Sequence, residues 1–296
     1  MRARLTNRTT TLAGSIAITL GLIVLFGPWH PARAEAPADV VSIGGSVTEI
    51  IYALGQQHRI VARDTTSTFP PQAEALPDIG YMRALSPEGV LSVRPALILS
   101  EADSGPPDAV DVLRAAGVEF VMLGAATTGE GIATKIRSIG AALDVPDKAG
   151  ALAAQIEKDM LAATASGTEA AGKTPKRVLF ILSTQGGRIM ASGTGTAADA
   201  MIGLAGGINA ITEISGYKPL SDEAITRAAP DVILVMDRGG DHEITRDALL
   251  ATPAIATTPA AAAGAVIRMD GLYLLGFGPR TPQAVADLTG ALYGGG

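Results

Sequence analysis

Short β-rich runs alternate with helical patterns along most of the chain, and this alternation restricts the possible fold more than any other feature of the sequence. Strand–helix–strand units of this kind assemble into largely parallel sheets with helices on their faces. The pattern therefore predicts an α/β fold. The predicted strands are Val40–Ile43, Arg59–Ala62, Leu97–Ser100, Phe120–Leu123, Val178–Leu182, Val232–Met236 and Val266–Met269.

The alternation stops once, in the middle of the chain. Asp147–Ala165 lacks proline and is rich in Ala, Leu, Gln, Glu and Lys, which are strong helix formers. A polar, glycine-containing stretch, Ser166–Pro175, follows it. We interpret residues 147–172 as one long, stiff helix that joins two Rossmann-like lobes, an N-terminal lobe of residues 35–146 and a C-terminal lobe of residues 173–296.

A weak internal repeat supports the presence of two lobes. Leu85–Leu99 aligns without gaps on Leu220–Leu234, and Leu, Ser, Glu, Pro, Ile and Leu match at equal spacing. Each copy predicts a short capped helix followed by a proline and a buried strand. Any helix–strand unit gives part of this pattern, but the coincidence of Ser, Glu and Pro favours a true repeat of one structural unit.

The N-terminus predicts export. Three arginines lie within the first eight residues, an apolar run extends from Leu12 to Phe26, and Ala32–Ala34 forms an A-x-A cleavage site. These are the parts of a secretory signal peptide, and the apolar run is shorter than the about 20 residues that a membrane span needs. We expect residues 1–34 to be a signal peptide cleaved after Ala34, and the alternative is an uncleaved N-terminal anchor.

Composition excludes several classes of protein. The chain has no cysteine, which excludes disulfides, thiolate metal sites, cysteine nucleophiles and a lipid-attachment cysteine. Without residues 1–34, which hold four arginines and no acids, 19 basic and 29 acidic residues remain, a net charge of −10. Nucleic-acid backbones require the opposite sign. The sequence therefore predicts no nucleic-acid binding and a mature protein that is free in the periplasm.

The residues offer little support for an enzyme. After signal cleavage the only histidines are His58 and His242, and neither lies in a nucleophile elbow, an H-E-x-x-H pair or another catalytic pattern. Ile43–Glu49 lacks the lysine of a phosphate-binding loop, so we interpret it as a tight turn in which Ser46 or Thr48 caps a helix. The clustered histidines and carboxylates of a zinc or manganese carrier are not visible in the sequence.

Tyr81 and Arg83 lie two residues apart, just before a predicted helix. In an extended segment, residues at this spacing project to the same side, which would place a guanidinium beside a phenol oxygen. A nearby cation favours the phenolate, and a phenolate is a hard, anionic ligand suited to ferric iron, with tyrosine among the known haem ligands. On this chemistry alone, a surface tyrosine beside a solvated arginine is the simpler interpretation.

Five segments resemble the haem-binding periplasmic proteins of bacterial haem-uptake ABC systems, and the resemblance covers essentially the whole mature chain. The first segment is shared with the wider vitamin B12 and siderophore carriers, whereas the Gly-Tyr-Met-Arg motif is specific to the haem carriers. The five segments are Val41–Gly55, Asp64–Gln72, Gly80–Arg83, Gly216–Ser221 and Tyr273–Thr281.

The resemblance implies a class III periplasmic binding protein that carries haem b as a transported ligand and is not an enzyme. It implies that Tyr81 is the axial ligand of the haem iron and that Arg83 polarises or hydrogen-bonds the tyrosinate. From the second lobe it suggests that Arg238 points into the cleft, where a solvated charge at a strand end is the alternative. Tyr217 and Lys218 are further candidates for haem binding.

The resemblance also implies a transport partner, an ABC permease in the inner membrane. One glutamate on each lobe docks on such a permease, and Glu88 and Glu223, the two glutamates of the internal repeat, match these positions. A glutamate in the first turn of a helix is also favourable on its own, because it faces the positive end of the helix dipole. We expect a monomer that captures haem and hands it over without covalent chemistry.

Three alternatives stay open at this point. A siderophore or cobalamin carrier of the same fold would leave the Gly-Tyr-Met-Arg motif unexplained. A secreted hydrolase would need a nucleophile and a base, for which His58 and His242 are the residues to replace. A haem sensor or scavenger without a transporter would lack permease and ATPase genes beside its own.

Overall fold

The computed structural model describes residues 38–184, 188–237 and 245–294, all of them within the compact unit Pro37–Gly296. The predicted signal peptide, Arg238 and His242 lie outside the described residues. Within the described part of the chain, no helix is both long enough and apolar enough to cross a membrane.

The first half of the chain forms a four-stranded parallel sheet with the strand order β2-β1-β3-β4. Helices follow or precede its strands, as expected for βαβ units. The strands are β1 Val40–Ile43, β2 Ile60–Arg63, β3 Leu97–Glu101 and β4 Glu119–Leu123. The helices are α1 Gly45–Ala53, α2 Pro87–Ser92, α3 Pro107–Ala115 and α4 Gly129–Ala142, with short 3₁₀ turns at Gln57–Arg59 and Pro71–Ala75. We call this sheet and its helices the first lobe.

One long helix, α5 Pro146–Ala171, leads out of the first lobe. Proline occupies its first position, where the missing N–H costs nothing, and Gly172 with φ 55° ends it. Its buried residues recur every three or four positions, so one face packs inward. Helix α4 approaches it closely because residue 140 is glycine, and a side chain there would collide with the methyl group of Ala149.

The second half of the chain forms a six-stranded sheet that is mixed and not purely parallel. Strands β10, β9 and β5 are parallel, β6 is antiparallel to β5, β8 is antiparallel to β6, and β7 pairs with β5 outside this path. The strands are β5 Arg177–Ser183, β6 Ile189–Ser192, β7 Ile208–Asn209, β8 Tyr217–Leu220, β9 Val232–Asp237 and β10 Val266–Asp270. We call this sheet and its helices the second lobe.

In the described residues, seven helices accompany the second sheet. They are α6 Ala197–Leu204, α7 Asp222–Ala228, α8 Arg246–Leu250, α9 Pro253–Ala256, α10 Pro259–Ala263, α11 Gly271–Leu275 and α12 Thr281–Tyr293. The predicted fold class, two α/β lobes joined by a single long helix, is confirmed. The division into domains at residues 35–146, 147–172 and 173–296 stays a prediction.

The internal repeat has the same structure in both lobes. Ser86 accepts a hydrogen bond from the Gly89 N–H at the start of α2, and Ser221 accepts one from the Ala224 N–H at the start of α7. Each helix then leads into a buried strand, β3 or β9, and these strands lie at equivalent places in the orders β1-β3-β4 and β5-β9-β10.

The hydrophobic core does not stop at the boundary between the lobes. One cluster of buried side chains runs from Ile50 on α1 through Ile136 on α4 and Ile156 on α5 to Phe180 on β5 and Val285 on α12. Helix α12 packs along α5, so the last helix of the chain closes the joint between the two halves. The two lobes therefore share apolar contacts around the connecting helix.

Candidate functional site

The Tyr81 loop begins at a glycine. Gly80 has φ 94°, a conformation that favours glycine, and its carbonyl accepts a hydrogen bond of 3.0 Å from the Thr65 N–H after β2. The next residues form a turn closed by the Ala84 N–H and the Tyr81 carbonyl at 2.8 Å. The loop is thus tied to the carboxyl end of the first sheet, where α/β proteins commonly bind ligands.

Tyr81 and Arg83 contact each other. Arg83 Nη1 donates a hydrogen bond of 2.8 Å to the Tyr81 hydroxyl, and the guanidinium carbon lies 5.9 Å from the ring centre. The Tyr81 side chain is 43 % exposed. The predicted contact is therefore present, but the expected extended segment is wrong, because a turn and not a strand brings the two side chains together.

Asp103 is a third member of this group that the sequence analysis missed. Arg83 Nη2 donates to Asp103 Oδ2 in an ion pair. Burial lowers the pKa of Arg83, but hydrogen bonds to Tyr81 and Asp103 and their electrostatic attraction outweigh burial, so the net shift is upward. The signal available in the sequence was the position of Asp103, two residues after the carboxyl end of β3.

Tyr217 lies at the start of β8 in the second lobe, with its ring centre 6.2 Å from that of Phe180. Burial raises the pKa of Tyr217, while hydrogen bonds from the Ala198 backbone and the Thr196 side chain, at the start of α6, lower it in part. The charge of Arg83 also lowers it. Tyr217 is therefore within electrostatic reach of the first-lobe pair, and the two lobes present phenol groups to one region.

The two tyrosines occupy related places in the chain. Gly80-Tyr81 comes four residues before Leu85, at the start of one repeat copy, and Gly216-Tyr217 comes three residues before Leu220, at the start of the other. Gly216 has φ 76°, in the same left-handed region as Gly80. An extension of the repeat by a few residues, with one insertion, would have revealed this relationship from the sequence.

Behind the Tyr81 loop lies a buried charged group at the switch point of the first sheet, between β1 and β3. Lys135 is 3 % exposed and donates to Ser46 Oγ at 2.9 Å and to both carboxylate oxygens of Glu101 at 3.1 and 3.3 Å. Ser46 also donates to Glu101. A buried charge is tolerated when it is paired and hydrogen-bonded, and this group fixes the end of β3.

A different charged contact, between Glu49 and Arg280, joins the two lobes. Glu49 on α1 is 5 % exposed, and its carboxylate accepts a hydrogen bond of 3.0 Å from the Arg280 N–H and lies 3.0 Å from Arg280 Nη2. The guanidinium carbon lies 3.5 Å from the centre of the Phe69 ring and 5.0 Å from that of Tyr273. Burial, together with a hydrogen bond to Asp287, raises the pKa of Tyr273.

Glu88 and Glu223 are exposed and lie in the first turns of α2 and α7, at equivalent places in the two lobes. Hydrogen bonds from its own backbone N–H and from the Ser221 hydroxyl lower the pKa of Glu223. Both carboxylates therefore point to solvent from the start of a helix, where the helix dipole stabilises negative charge.

The other predicted residues divide into two groups. Lys218 is exposed on β8 beside Tyr217, and His58 lies on the 3₁₀ turn Gln57–Arg59. Arg238 and His242 lie outside the described residues. In residues 38–184, 188–237 and 245–294, no three His, Cys, Asp or Glu side chains are grouped so that they could hold a bare metal ion.

Comparison with known proteins decides the family. The sequence profile described as periplasmic binding protein matches residues 40–272. The chain belongs to the periplasmic binding protein family. The family resemblance seen in the sequence is therefore confirmed. The family's description supports a location outside the cytoplasm.

Two solved structures are similar to this periplasmic binding protein over nearly their whole length. The periplasmic heme-binding protein BhuT in complex with two hemes is 42 % identical, with a TM-score of 0.82, and the match covers 88 % of this chain and 99 % of that one. The periplasmic heme-binding protein RhuT from Roseiflexus sp. RS-1, in apo form, is 40 % identical, with a TM-score of 0.83 and the same coverage.

Curated relatives of this periplasmic binding protein are more distant. The ABC transporter substrate-binding lipoprotein YvrC of Bacillus subtilis is 28 % identical over 69 % of this chain and 65 % of its own length. The vitamin B12-binding protein of Photorhabdus laumondii is 26 % identical over 48 % of this chain and 51 % of its own length. The chain thus spans about two thirds and about half of these two relatives.

Proposed function

We propose that this periplasmic binding protein captures haem between its lobes and delivers it to an ABC importer. The observation that carries the proposal is the hydrogen bond of 2.8 Å between Arg83 and the Tyr81 hydroxyl, at a site that Tyr217 of the other lobe also approaches. The heme-binding titles of two structures that are 42 % and 40 % identical support the same ligand.

In this proposal Tyr81 binds the iron. Its side chain is 43 % exposed, so a flat ligand can reach the phenol oxygen without unfolding the loop. A phenolate is a hard anion that suits ferric iron, and the guanidinium of Arg83 stabilises negative charge on that oxygen through a charge-assisted hydrogen bond. Arg83 therefore places a positive charge beside the oxygen that would bind the iron.

The second lobe would cover the other face of the haem. Tyr217, which is 37 % exposed and whose ring packs near the fully buried Phe180, supplies aromatic surface, and the exposed Lys218 next to it is a cation for a propionate. Arg238 is proposed for the same role, because it directly follows β9 at the carboxyl end of the second sheet. Each half of the cleft would thus combine an aromatic contact with a cation.

Delivery would use Glu88 and Glu223. They are exposed at equivalent places on the two lobes, which suits a permease with two-fold symmetry. Engagement of both glutamates would distort the lobes and release the haem. The protein would act as a monomer in the periplasm, after cleavage of residues 1–34.

We propose a binding role without catalysis. Ser46 is the buried serine closest in chemistry to a nucleophile, but its hydroxyl donates to Glu101, and the Glu101 carboxylate is paired with Lys135 at 3.1 Å. The Glu101 oxygens are engaged by Lys135 and Ser46 in a buried, paired group, and such a group is suited to fixing the end of β3.

A visible absorption titration with haemin tests the proposal. The wild type should give a saturating ferric high-spin spectrum with tyrosinate character, and Tyr81→Ala should lose it. Tyr52→Ala is a control matched in residue type, because Tyr52 lies on α1 and packs against the hydrophobic core. Equal spectra for the wild type and Tyr81→Ala would move the iron ligand elsewhere.

Cobalamin is the second candidate ligand, because a curated relative is named a vitamin B12-binding protein. Calorimetric titration with cyanocobalamin, run beside haemin on the same preparation, separates the two. Binding of haemin alone supports the proposal. If cyanocobalamin gives binding heat and the protein causes no change in the haemin spectrum, the ligand is a corrinoid and not haem.

A further inference from the structure

We propose that Asp103 is a positioning residue for the iron ligand: it holds the guanidinium of Arg83 against the phenol oxygen of Tyr81. The inference deepens the proposed function and rests on it, because it concerns how the ligand tyrosine is prepared. It follows from contacts that exist without any bound molecule.

Arg83 bridges two residues with its two terminal nitrogens. Nη1 donates to the Tyr81 hydroxyl at 2.8 Å, and Nη2 donates to Asp103 Oδ2. The side chains of Arg83 and Asp103 are 53 % and 55 % exposed. An ion pair at this exposure adds little stability. What the carboxylate supplies is therefore orientation of a long side chain that otherwise has many rotamers.

The backbone fixes the register between the two loops. The Gly105 N–H donates to the Met82 carbonyl at 2.9 Å, and the Leu85 N–H donates to the Gly105 carbonyl at 2.8 Å. These bonds lie on either side of Arg83 in the sequence. The loop that carries Asp103 is therefore held directly against the loop that carries Arg83.

The loop of Asp103 is also anchored at its start, where it leaves β3. Glu101, two residues before it, is held by Lys135 at 3.1 Å and by Ser46, and the Ser104 N–H closes a turn on the Glu101 carbonyl at 3.2 Å. Asp103 thus extends from a buried charged group at the end of β3. A carboxylate with this support can restrain a mobile guanidinium, since its own backbone is fixed.

Without the Asp103 carboxylate, the guanidinium of Arg83 is free to leave the Tyr81 hydroxyl. The Arg83 side chain is 53 % exposed, so a released guanidinium can turn into solvent, where a long side chain has many rotamers. Asp103 therefore keeps this cation on the tyrosine of the first lobe.

The test compares Asp103→Ala with Asp103→Asn, because asparagine keeps an oxygen that accepts a hydrogen bond from Arg83 but removes the charge. In crystals of the haem-free protein, Arg83 should leave the Tyr81 hydroxyl in Asp103→Ala and stay on it in Asp103→Asn. With haemin, the tyrosinate-to-iron charge-transfer band of Asp103→Ala should match that of Arg83→Ala, with about fivefold weaker binding from the lost hydrogen bond.

Asp111→Ala, an exposed carboxylate on α3, controls for the change in net charge and should resemble the wild type. The proposal is overturned if Arg83 keeps its contact with Tyr81 in Asp103→Ala, or if Asp103→Asn is as disturbed as Asp103→Ala. A wild type that fails to bind haemin would reject the proposed function, while the haem-free crystals would still decide the role of Asp103.

Discussion

Tyr81 and Tyr217 each follow a glycine with positive φ at the start of one repeat copy, but the groups around their phenol oxygens differ. Tyr81 receives a hydrogen bond from an arginine side chain, which is itself tied to a carboxylate. Burial raises the pKa of Tyr217, and hydrogen bonding with the Ala198 backbone and the Thr196 side chain at the start of α6 lowers it in part.

The repeated unit is thus the same in both lobes, but its two tyrosines have different chemical surroundings. Tyr81 lies beside a full positive charge, whereas at Tyr217 hydrogen bonding at a helix start opposes burial, and burial prevails. In the proposed function the first lobe supplies the charged metal ligand and the second lobe a neutral aromatic wall. The two repeat copies match at their exposed glutamates and differ in the groups around the two phenol oxygens.

The largest effect is expected where the two lobes match. If Glu88 and Glu223 dock on the permease as proposed, their double charge reversal to lysine should abolish transport, because lysines would be repelled by basic pockets of the permease. The double variant should bind haemin as the wild type does. Transport is measured as uptake by cells that depend on haem as their iron source, and haemin binding is measured by absorption titration.

Each single reversal should reduce uptake by a similar factor if the lobes dock equivalently. Asp222→Lys, next to Glu223 and also exposed, is the matched control for position. Undiminished uptake in the double variant would remove the docking role of both glutamates.

The second effect concerns the tyrosines themselves. Tyr81→Phe should weaken haemin binding by more than about 100-fold, since loss of a ligand should exceed the loss caused by its hydrogen-bonding partners. Tyr217→Phe keeps the ring and should cost about fivefold or less, the value of one hydrogen bond. Haemin titrations of both variants give the ratio of their dissociation constants. Similar losses of affinity would show that the two tyrosines contribute equally.

The smallest effect is a titration. The protein has five tyrosines, so ultraviolet titration of the wild type minus Tyr217→Phe isolates one of them. Because burial raises the pKa of Tyr217, its midpoint should lie above the ordinary value of about 10. The stability that its neutral form contributes is present below that pH and is lost as pH rises through the midpoint.

Thr196→Val should move the Tyr217 midpoint further upward, since it removes a hydrogen bond that lowers the pKa. Thr196→Ser keeps the hydroxyl and the helix cap and should restore the wild-type value. A Tyr217 midpoint at or below about 10 would contradict the contrast between the two lobes.

Much of the fold was accessible from the sequence because its signals are local. The parallel strands are continuous apolar runs, and α5 is a long stretch of strong helix formers between them. Strands β6 and β8 were missed because each has only four residues. Strand β8 also contains Pro219, which is tolerated because β8 is at the edge of the sheet.

The candidate site was only partly accessible for the opposite reason. Tyr81 and Arg83 are neighbours in the sequence and form a motif, so the pair was visible. Asp103 is 20 residues away from Arg83, and Lys135 is 89 residues from Ser46. Contacts over such separations exist only after the strands pair, and no local pattern marks them.

The contact between Glu49 and Arg280 is the most distant of these, at 231 residues. This contact between the lobes bears on how the protein unfolds. With a partly buried ion pair whose guanidinium stacks on Phe69, and a shared apolar core around α5, neither lobe can unfold without exposing part of the other. We expect a single calorimetric transition for the whole protein, with a van't Hoff enthalpy equal to the measured one. Neither lobe expressed alone would then reproduce the behaviour of its half of the cleft.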